Sequence, residues 1–388
     1  MAERTPFARN VTPESQPPLA GRRALRRYSR HLLIPEVGLA GQQKLAAARV
    51  LVVGAGGLGA PVLQYLTAAG VGRITILDDD EVDETNLQRQ VIFGTRDLGR
   101  SKAVAAAERL GDLNPQVELV PIARRFDASN ARALVGTVDL VVDATDTFGS
   151  RYLVNDACRL EGKPDVYASI FRFDGQVMVF APDGPCYRCL FPEPPPDGSV
   201  PTCAEGGVLG VLAGMIGTFQ ANEALKLILG IGRSLTGRLL LVDALSARVR
   251  EFAIARDPAC PLCGATPTID EVSEQPRRPA RALDAPELSA RELDDFLGRE
   301  PNAVVLDVRE PHEVVLGLMP RAIHIPASQL EARLHELDTA RTYVVACRLG
   351  ANSRWAAQRL HDAGFGRVHH LRDGLLAHAA LDASFDIF

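Results

Sequence analysis

Cys347 is the residue whose surroundings point most directly to chemistry, because it ends the apolar run of the segment VVACRLGANSR. This segment predicts a buried strand, a short loop and then a helix. Backbone N–H groups in such a loop stabilise a thiolate or a persulfide anion. A tyrosine phosphatase loop would carry arginine at the sixth residue after the cysteine, where this chain has Ser353, with Arg354 one later. The segment therefore favours a sulfur-handling cysteine over phosphate chemistry.

Four further cysteines form two CxxC pairs, Cys186 with Cys189 and Cys260 with Cys263. Four thiolates suit a tetrahedral zinc ion and leave no position open for a substrate, so the expected metal site is structural. Disulfides are the alternative explanation. The chain has seven cysteines, an odd number, and its first residues lack the apolar stretch of an export signal, so we expect reduced thiols and a cytoplasmic location.

A glycine-rich turn predicts a phosphate-binding loop. The motif GAGGLG places Gly54, Gly56, Gly57 and Gly59 between an apolar strand and an apolar helix. Glycine lets the backbone approach a phosphate, and the helix N-terminus supplies N–H donors. Asp78 ends the next predicted strand, where a carboxylate accepts hydrogen bonds from ribose hydroxyls. These features alone fit NAD as well as ATP.

The segment DDDEVDETNLQRQ and the residues after it distinguish the two nucleotides. They place Asn86, Arg89 and then Lys102 downstream of the ribose carboxylate. A hydride-transfer site has no need of so many phosphate-directed groups, so these residues favour a triphosphate. The alternative is that Arg89 and Lys102 lie on a solvated face of the protein.

The motifs RYSRHLLIPEVG, GAGGLG, DDDEVDETNLQRQ, GRSKA and DATDTF together resemble the MoeB/ThiF family of ubiquitin-activating-like adenylyltransferases, over roughly residues 27 to 263. The resemblance implies that the protein binds ATP and magnesium, and that Asp146 binds the magnesium ion. Asp143, a strand-end residue, fits a structural role better. Arg30 resembles an arginine that reaches the neighbouring subunit's ATP site, which implies an obligate homodimer. The remaining roles that the resemblance implies are ribose binding by Asp78 and phosphate binding by Asn86, Arg89 and Lys102.

The resemblance also bears on the cysteines. In the resembled family, CxxC pairs of this kind bind a structural zinc away from the ATP. A cysteine at the position of Cys203, after the proline-rich segment PEPPPDGSVP, is thought there to link covalently to the carrier or to resolve a disulfide. Cys203 is thus a candidate second sulfur-handling residue, the alternative being a chance loop cysteine. Cys158, in the amphipathic run RYLVNDACRL, is predicted to be a core residue.

Residues 287 to 388 resemble a single rhodanese domain through LDVREPHE, LMPRAIHIP and the Cys347 loop. Asn352 stands where thiosulfate-using rhodaneses commonly have arginine, which favours a protein persulfide over thiosulfate as the sulfur donor. His369 and Asp373 lie where a pair of glycines usually ends this region, and we interpret both as structural.

These chemical groups must be positioned by strands whose carboxyl ends meet at one edge of a sheet. Strand patterns at 49–53, 117–122 and 138–145 alternate with helical patterns around 102–110 and 150–160. We expect an α/β fold with a doubly wound, Rossmann-like, mostly parallel sheet of the ubiquitin-activating-enzyme type, and a second, smaller α/β rhodanese domain. The expected domains are a flexible arm over 1–25, an ATP-binding domain over 26–270, a linker over 271–286 and the rhodanese domain over 287–388.

Composition argues against two classes of partner. The net charge of −5 offers no basic excess for a nucleic acid or an anionic membrane surface. The longest apolar stretch, 207–229, contains Gln220, Glu223 and Lys226, which a bilayer core would leave unpaired. We therefore expect a core helix there, and neither a nucleic acid partner nor a membrane.

The preferred interpretation is a bifunctional enzyme. It would adenylate the C-terminal Gly-Gly carboxylate of a ubiquitin-like sulfur carrier, with Arg30, Arg89, Lys102 and magnesium stabilising phosphate charge. Persulfidated Cys347 would then give the carrier thiocarboxylate, for molybdopterin, thiamine, cysteine or thiolated tRNA synthesis. Its expected partners are the carrier and a persulfide donor such as a cysteine desulfurase. The alternatives are an NAD-dependent oxidoreductase with a regulatory thiol domain, and a conjugation scaffold that binds the carrier through Cys203 as a thioester.

Overall fold

The computed structural model describes residues 25–195, 207–275, 285–315, 317–319 and 321–381. These residues form two compact units, which lie on either side of residues 276–284 in the sequence. Each unit has its own sheet and its own hydrophobic core.

The first unit is built on an eight-stranded sheet. Its strands are β1 (Arg49–Val53), β2 (Arg73–Leu77), β3 (Glu118–Ile122), β4 (Leu140–Asp143), β5 (Asp165–Phe171), β6 (Asp174–Phe180), β7 (Arg238–Asp243) and β8 (Arg248–Ala253). Their order is β3-β2-β1-β4-β5-β6-β7-β8, with parallel pairing from β3 to β5 and antiparallel pairing from β5 to β8. The strand order therefore reverses between β1 and β4, which is where open α/β sheets bind their ligands.

Helices cover both faces of the parallel part of this sheet. Successive side chains of a strand point to opposite faces. In β1, Val50 packs in the cluster that includes the helix Gly59–Ala69, whereas Leu51 packs in the cluster that includes the helix Phe148–Leu160. This two-sided burial explains why the strand reads as a continuous apolar run. The described helices of the unit span Ser29–Leu32, Gly38–Ala47, Gly59–Ala69, Lys102–Leu113, Ala131–Gly136, Phe148–Leu160, Tyr187–Leu190 and Gly210–Leu229.

The helix Gly210–Leu229 contains polar residues with specific partners inside the unit. The Gln220 amide nitrogen donates to the carbonyl oxygens of Asp143 and Val166, at 2.7 and 2.9 Å. Glu223 accepts a hydrogen bond from the backbone N–H of Leu235 at 2.8 Å. The sequence-based expectation of a core helix is thus confirmed by these contacts. In the part of the chain that the structure describes, no helix combines the length and the apolar character needed to cross a membrane.

A buried ion pair fixes the short helix Tyr187–Leu190, where the first CxxC motif lies. The Arg188 guanidinium donates to both carboxylate oxygens of Asp156, at 2.8 and 2.6 Å, and both side chains are buried. The neighbouring Asn155 accepts from the backbone N–H of Tyr187 at 2.7 Å. A paired and hydrogen-bonded charge can stay buried, whereas a single one could not. The helix Phe148–Leu160 therefore sets the position of two cysteines.

The two edge strands of the first sheet differ from its centre. β3 carries Pro121, which has no N–H to offer to a further strand. β8 is exposed at every residue and carries Arg248, Arg250 and Glu251. Both edges thus lack the apolar, fully hydrogen-bonding character of the inner strands.

The second unit is a smaller α/β structure around five parallel strands. These are β9 (Glu287–Leu288), β10 (Ala303–Asp307), β11 (Ile323–His324), β12 (Thr342–Ala346) and β13 (Val368–Leu371), in the order β11-β10-β12-β13-β9. Its described helices span Leu293–Arg299, Leu330–Arg333, Ala351–Asp362 and Gly374–Ala379. The predicted fold class, a mostly parallel α/β sheet with a second, smaller α/β unit, is confirmed.

Within this unit, the motif LDVRE forms a buried ion pair. The Arg309 guanidinium binds Asp307, with its shortest contact at 2.7 Å, and both side chains are fully buried. It also donates to the carbonyl oxygens of Glu313 and Gly317, at 3.3 and 3.1 Å. The pair therefore ties the end of β10 to the segment that follows it.

Candidate active sites and metal centre

A pocket of about 680 Å³ lies at the carboxyl edge of the first sheet, beside the reversal of strand order. Residues that follow β1, β2, β3 and β4 form its walls. Of the residues selected from the sequence, it is lined by Gly54, Gly56, Gly57, Asp78, Asn86, Arg89, Lys102 and Asp146. Gly59 and Arg30 are not among its lining residues.

Two of the glycines are required by close backbone packing. Gly54 has a φ of +97°, and a Cβ there would lie 2.8 Å from the carbonyl oxygen of Ala144. A Cβ on Gly59 would collide with the carbonyl oxygen of Gly54. The helix Gly59–Ala69 can therefore start directly behind the end of β1. Gly59 has a packing role, while Gly56 and Gly57 of the turn in front of it line the pocket at the N-terminal end of the helix, the end of a helix that suits an anion.

Asp78 stands at the end of β2 and is held by the backbone around it. Its carboxylate oxygens accept hydrogen bonds from the N–H groups of Ala55 at 2.7 Å and of Asp80 at 2.9 Å. Burial raises the pKa of Asp78, and these two hydrogen bonds together with Lys102 act in the opposite direction. Each oxygen keeps a second lone pair. The carboxylate is thus fixed beside the glycine turn and can still accept from a ribose hydroxyl.

Arg89 and Lys102 line the pocket together with the acidic segment after β2. Lys102 is only 5% exposed, so it does not lie on a solvated face, and its ammonium group contacts the Asp80 carboxylate at 2.9 Å. Arg89 donates to the carbonyl oxygen of Thr85 at 2.9 Å. Asn86 lines the pocket beside them. These groups are positioned to meet an anion that enters the pocket.

Asp143, the last residue of β4, and Asp146, which follows the strand, differ in exposure. Asp146 is exposed and lines the pocket. Asp143 is buried and accepts hydrogen bonds from the N–H and hydroxyl of Thr145, at 2.9 and 2.6 Å. Burial raises the pKa of Asp143, and it raises the pKa of the neighbouring buried Asp165 well above its usual range. A metal ion in the pocket can therefore reach Asp146, while Asp143 shapes the loop.

Three arginines that the sequence analysis did not select also line the pocket. Arg124 and Arg125 follow β3 at the same sheet edge, and that position was an available signal. Arg151 lies in the helix Phe148–Leu160, is 8% exposed, and its guanidinium lies 5.7 Å from the ring centroid of Tyr167. Its orientation depends on the fold of the whole unit, so the sequence pattern gave no indication of it.

The two CxxC pairs meet in space. The sulfur atoms of Cys186, Cys189, Cys260 and Cys263 all lie within 4.8 Å of one another. Individual separations are 3.9 Å for Cys186 and Cys189, 3.6 Å for Cys186 and Cys260, and 3.3 Å for Cys189 and Cys263. Tetrahedral zinc with Zn–S bonds of about 2.3 Å places its sulfurs about 3.8 Å apart. The cluster therefore has the donor set and the size for one zinc ion.

The cysteines of the described residues are free thiols, which speaks against the disulfide alternative. None of the six cysteines within the described ranges forms a disulfide. Burial and the neighbouring thiols raise the pKa of Cys263 to about 11. Cys158 lies in an apolar core cluster, where burial raises its pKa well above the usual range, in keeping with the core role predicted for it. Cys203 lies outside the described residues.

In the second unit, Cys347 directly follows β12, as the sequence predicted. Its side chain is 4% exposed, and its sulfur accepts a hydrogen bond from the backbone N–H of Gly350 at 3.1 Å. The Ser353 hydroxyl oxygen lies 3.4 Å from the sulfur. These two neighbours are donors suited to an anionic sulfur.

The Cys347 loop is held by the elements around it. The carbonyl oxygens of Cys347 and Arg348 accept from the N–H groups of Leu375 and Leu376, at 2.8 and 3.0 Å. Gly350 has a φ of +100°, and a Cβ there would collide with the carbonyl oxygen of Arg372. Only glycine fits this position, so the curvature of the loop is fixed.

His369 and Asp373 lie outside this loop. The His369 ring packs on Phe296 with centroids 4.5 Å apart. Asp373 accepts from the N–H of Ala290 at 3.1 Å, and that hydrogen bond lowers the pKa of its carboxyl. Both contacts join elements of the unit, in line with the structural interpretation.

The first unit has a mixed α/β sheet with a pocket at the switch point of its parallel part, and it also holds a four-thiol cluster. Together with the loop cysteine of the second unit, these features define a nucleotide-binding type of protein that carries a thiol domain. The model of the ThiF family matches residues 28–262, and the rhodanese-like domain model matches residues 289–380. The chain belongs to the ThiF family and carries a rhodanese-like domain. The resemblance noted from the sequence motifs is thereby confirmed.

Curated relatives match along both parts of the chain. The probable adenylyltransferase/sulfurtransferase MoeZ of Mycobacterium tuberculosis is 45% identical, covering 94% of this chain and 97% of the relative. Adenylyltransferase and sulfurtransferase MOCS3 of Mus musculus is 45% identical over 86% of this chain and 76% of the relative. The sulfur carrier protein adenylyltransferase of Thermus thermophilus is 53% identical over 64% of this chain and 94% of the relative.

A solved structure shares the fold of the first unit. The crystal structure of E. coli MccB with ATP aligns with a TM-score of 0.53 at 23% identity, covering 61% of this chain and 74% of that chain. At this identity the likeness shows the fold alone.

Replacing Gly350 by alanine tests the rigidity of the Cys347 loop. The substitution combines a positive φ with a backbone collision, so we expect the free energy of unfolding of the second unit to fall by about 3 kcal/mol. Urea unfolding followed by the fluorescence of Trp355 measures it, because Trp355 is the single tryptophan of the chain.

Gly364→Ala is the matched control for this measurement. Gly364 also has a positive φ, +91°, but nothing lies within 4 Å of a Cβ there. The control should cost about 1 kcal/mol, from backbone strain alone. Equal losses for the two variants would show that the collision with Arg372 is relieved and that the loop is not rigid.

Proposed function

We propose that this chain activates the C-terminal carboxylate of a ubiquitin-like sulfur carrier with ATP and then converts it into a thiocarboxylate. The observation that carries the proposal is the single pocket lined by the glycine turn, Asp78, Asn86, Arg89, Lys102 and Asp146. Relatives named adenylyltransferase and sulfurtransferase support the two activities. The relative named sulfur carrier protein adenylyltransferase supports the nature of the substrate.

The first step is an adenylation. One oxygen of the carrier's Gly-Gly carboxylate attacks the α-phosphorus of ATP, a P–O bond forms, and pyrophosphate leaves with the electron pair of the broken bond. A carboxylate is already a nucleophile, so no general base is needed. The protein's contribution is to orient the two reactants and to neutralise charge. Arg89 and Lys102 suit this role because both cations line the pocket.

Magnesium suits the same pocket. Its preferred ligands are oxygens, and Asp146 presents an exposed carboxylate there. A magnesium ion would neutralise charge on the triphosphate. Asp146 would hold that ion, and the backbone N–H groups of the glycine turn would bind phosphate oxygens.

The second step is a sulfur transfer. The terminal sulfur of a Cys347 persulfide attacks the carbonyl carbon of the acyl adenylate, a C–S bond forms, and AMP leaves. A thiolate of a dithiol reductant then attacks the Cys347 sulfur of the acyl disulfide, which releases the carrier thiocarboxylate. The second thiol of the reductant displaces Cys347 as a thiolate and leaves the reductant oxidised.

The persulfide needs a donor and a reducing environment. A cysteine desulfurase is the donor class that we propose, because it delivers sulfur as a protein persulfide, the kind of donor that Asn352 in the Cys347 loop favours over thiosulfate. Free thiols at the described cysteines suit a cytoplasmic location. A role for Cys203 in binding the carrier is part of the same proposal.

We further propose that the active form is a homodimer with composite ATP sites. Arg30 is exposed and does not line the pocket of its own chain, so its charge is available to a neighbour. Beside it, Leu33 and Ile34 expose 73% and 44% of their surface. Exposed apolar side chains next to a functional cation suit an interface between copies.

Mixing two inactive variants tests the composite site. Arg30→Ala and Lys102→Ala should each abolish adenylation, but co-expression should restore about a quarter of it, because half of the dimers then hold one intact site out of two. Light scattering on the wild-type chain should give a dimer mass. A monomer, or the absence of any recovery in the mixture, would remove the proposal of a shared site.

Carrier-dependent exchange of labelled pyrophosphate into ATP tests the adenylation. We expect Lys102→Ala to reduce exchange by about 10²-fold or more, because a charge-stabilising group is lost. Cys347→Ala should leave exchange intact and abolish thiocarboxylate formation. Small proteins ending in Gly-Gly form the substrate panel.

Lys163→Ala is the control for the loss of a lysine, since Lys163 does not line this pocket. It should retain wild-type exchange. If no carrier supports exchange in the wild-type chain, the NAD-dependent oxidoreductase and the thioester scaffold become the leading hypotheses.

We propose a structural zinc ion in the four-cysteine cluster. The sulfur separations fit tetrahedral zinc, and four protein ligands leave no position for a substrate. Cys186 and Cys189 lie at the short helix Tyr187–Leu190, and Cys260 and Cys263 lie 74 residues further on, so the metal would join two remote segments.

Metal analysis tests this site. The purified chain should contain about one zinc ion, and Cys260→Ser should lose it together with several kcal/mol of stability. Cys158→Ala is the control, because Cys158 lies in an apolar core cluster, and it should keep its zinc. Full zinc content in Cys260→Ser would contradict the assignment.

A further inference from the structure

The carbonyl oxygen of Gly350, in the Cys347 loop, has three donors around it. They are the backbone N–H of Arg354 at 3.1 Å, the His370 Nε2 at 2.8 Å and the Ser353 hydroxyl at 2.9 Å. A carbonyl oxygen has two lone pairs. Two of the donors therefore satisfy it, and the third is surplus.

His370 is fixed as one of the two permanent donors. It lies on β13, is 2% exposed, and its own backbone N–H binds the carbonyl oxygen of Pro286 at 2.9 Å. A carbonyl can only accept, so Nε2 carries the proton. Burial lowers the pKa of His370, which keeps the ring neutral. Its Nδ1 has no hydrogen-bond partner among the described residues.

Charged groups face His370 from the elements packed against it. The Glu287 carboxylate of β9 lies 3.9 Å from Nδ1 and is paired with Arg354 of the helix Ala351–Asp362 at 3.0 Å. Arg372 follows β13 and also acts on the ring electrostatically. The histidine is thus held in place between the outer strand and the Cys347 loop.

The Ser353 hydroxyl is the donor that can move. A hydroxyl proton rotates about the C–O bond, whereas a backbone N–H and a packed imidazole cannot turn away. The Ser353 oxygen is fully buried and lies 3.4 Å from the Cys347 sulfur. Its proton can therefore point at the carbonyl of Gly350 at 2.9 Å, at the more distant carbonyl of Leu371 at 3.5 Å, or at that sulfur.

We propose that His370 is a positioning residue for the sulfur transfer: by occupying the Gly350 carbonyl, it frees the Ser353 hydroxyl to donate to Cys347 whenever that sulfur is anionic. The inference rests on the sulfur-transfer half of the proposed function. Cys347 is anionic when it attacks the donor persulfide and again when it leaves from the disulfide with the reductant. The same hydrogen bond would stabilise it both times.

A double-mutant cycle tests the proposal in the full-length chain. The rate of Cys347 alkylation by iodoacetamide is measured against pH, with peptide mass spectrometry to resolve Cys347 from the other cysteines. His370→Phe should raise the pH midpoint by about one unit, because the hydroxyl then stays on the carbonyl. Ser353→Ala should raise it similarly. The double variant should show no further change.

Three variants separate positioning from packing. His370→Gln keeps a side-chain N–H near the Nε2 position and should restore most of the wild-type profile. His370→Asn is too short to reach the carbonyl and should behave as His370→Phe, which covers a failure of the phenylalanine variant to fold. His369→Phe changes the preceding histidine of the same strand, whose ring packs on Phe296, and should leave the midpoint unchanged.

Release of thiocyanate from the persulfidated chain with cyanide gives an independent readout. Cyanide takes the outer sulfur, and Cys347 leaves as the thiolate, so His370→Phe should slow release about tenfold at neutral pH. Additive shifts in the cycle, or an unchanged midpoint in both His370→Phe and His370→Asn, overturn the inference. A wild-type chain that neither accepts nor releases sulfur refutes the sulfur-transfer function instead, and the alkylation cycle still decides the positioning.

Discussion

The contact between Gly59 and the carbonyl oxygen of Gly54 determines how the first unit is assembled. Because no side chain separates them, the helix Gly59–Ala69 starts directly behind β1 and packs along the centre of the sheet. The turn then lines the pocket at the carboxyl edge, where the strand order reverses. Asp78 is held against this turn through Ala55. A bulkier residue at either glycine would move the helix, the turn and the nucleotide pocket together.

The second unit uses backbone geometry in a comparable way for different chemistry. Gly350 bends the chain after β12 so that its N–H faces the Cys347 sulfur and its carbonyl faces β13. The first unit thus places cations around its pocket, while the second places neutral donors around a single sulfur atom. Neutral donors stabilise a thiolate through hydrogen bonds without forming a permanent ion pair with it. Such an environment suits a sulfur that must act first as a nucleophile and then as a leaving group.

Local patterns predicted much of this, and long-range contacts account for what they missed. The strand pattern at 138–145 and the helical pattern at 150–160 correspond to Leu140–Asp143 and Phe148–Leu160, because two-sided burial produces continuous apolar runs. The antiparallel strands from β5 to β8 were not predicted individually, since β8 is exposed throughout and has no apolar alternation. The pocket residues that lie within the sequence motifs could be selected from the sequence, whereas Arg151 could not. The contact of His370 with the loop depends on a neighbouring strand and has no sequence signature.

The edges of the first sheet have a consequence for the protein at high concentration. An uncovered strand is a template on which a second molecule can add its own, the first event in fibrous aggregation. Pro121 removes a donor from one edge, and Arg248, Arg250 and Glu251 place charge along the other. Sheets of two molecules are thereby kept from joining into a continuous ribbon. Copies of this chain that meet at high concentration are therefore hindered from joining through the edges of this sheet.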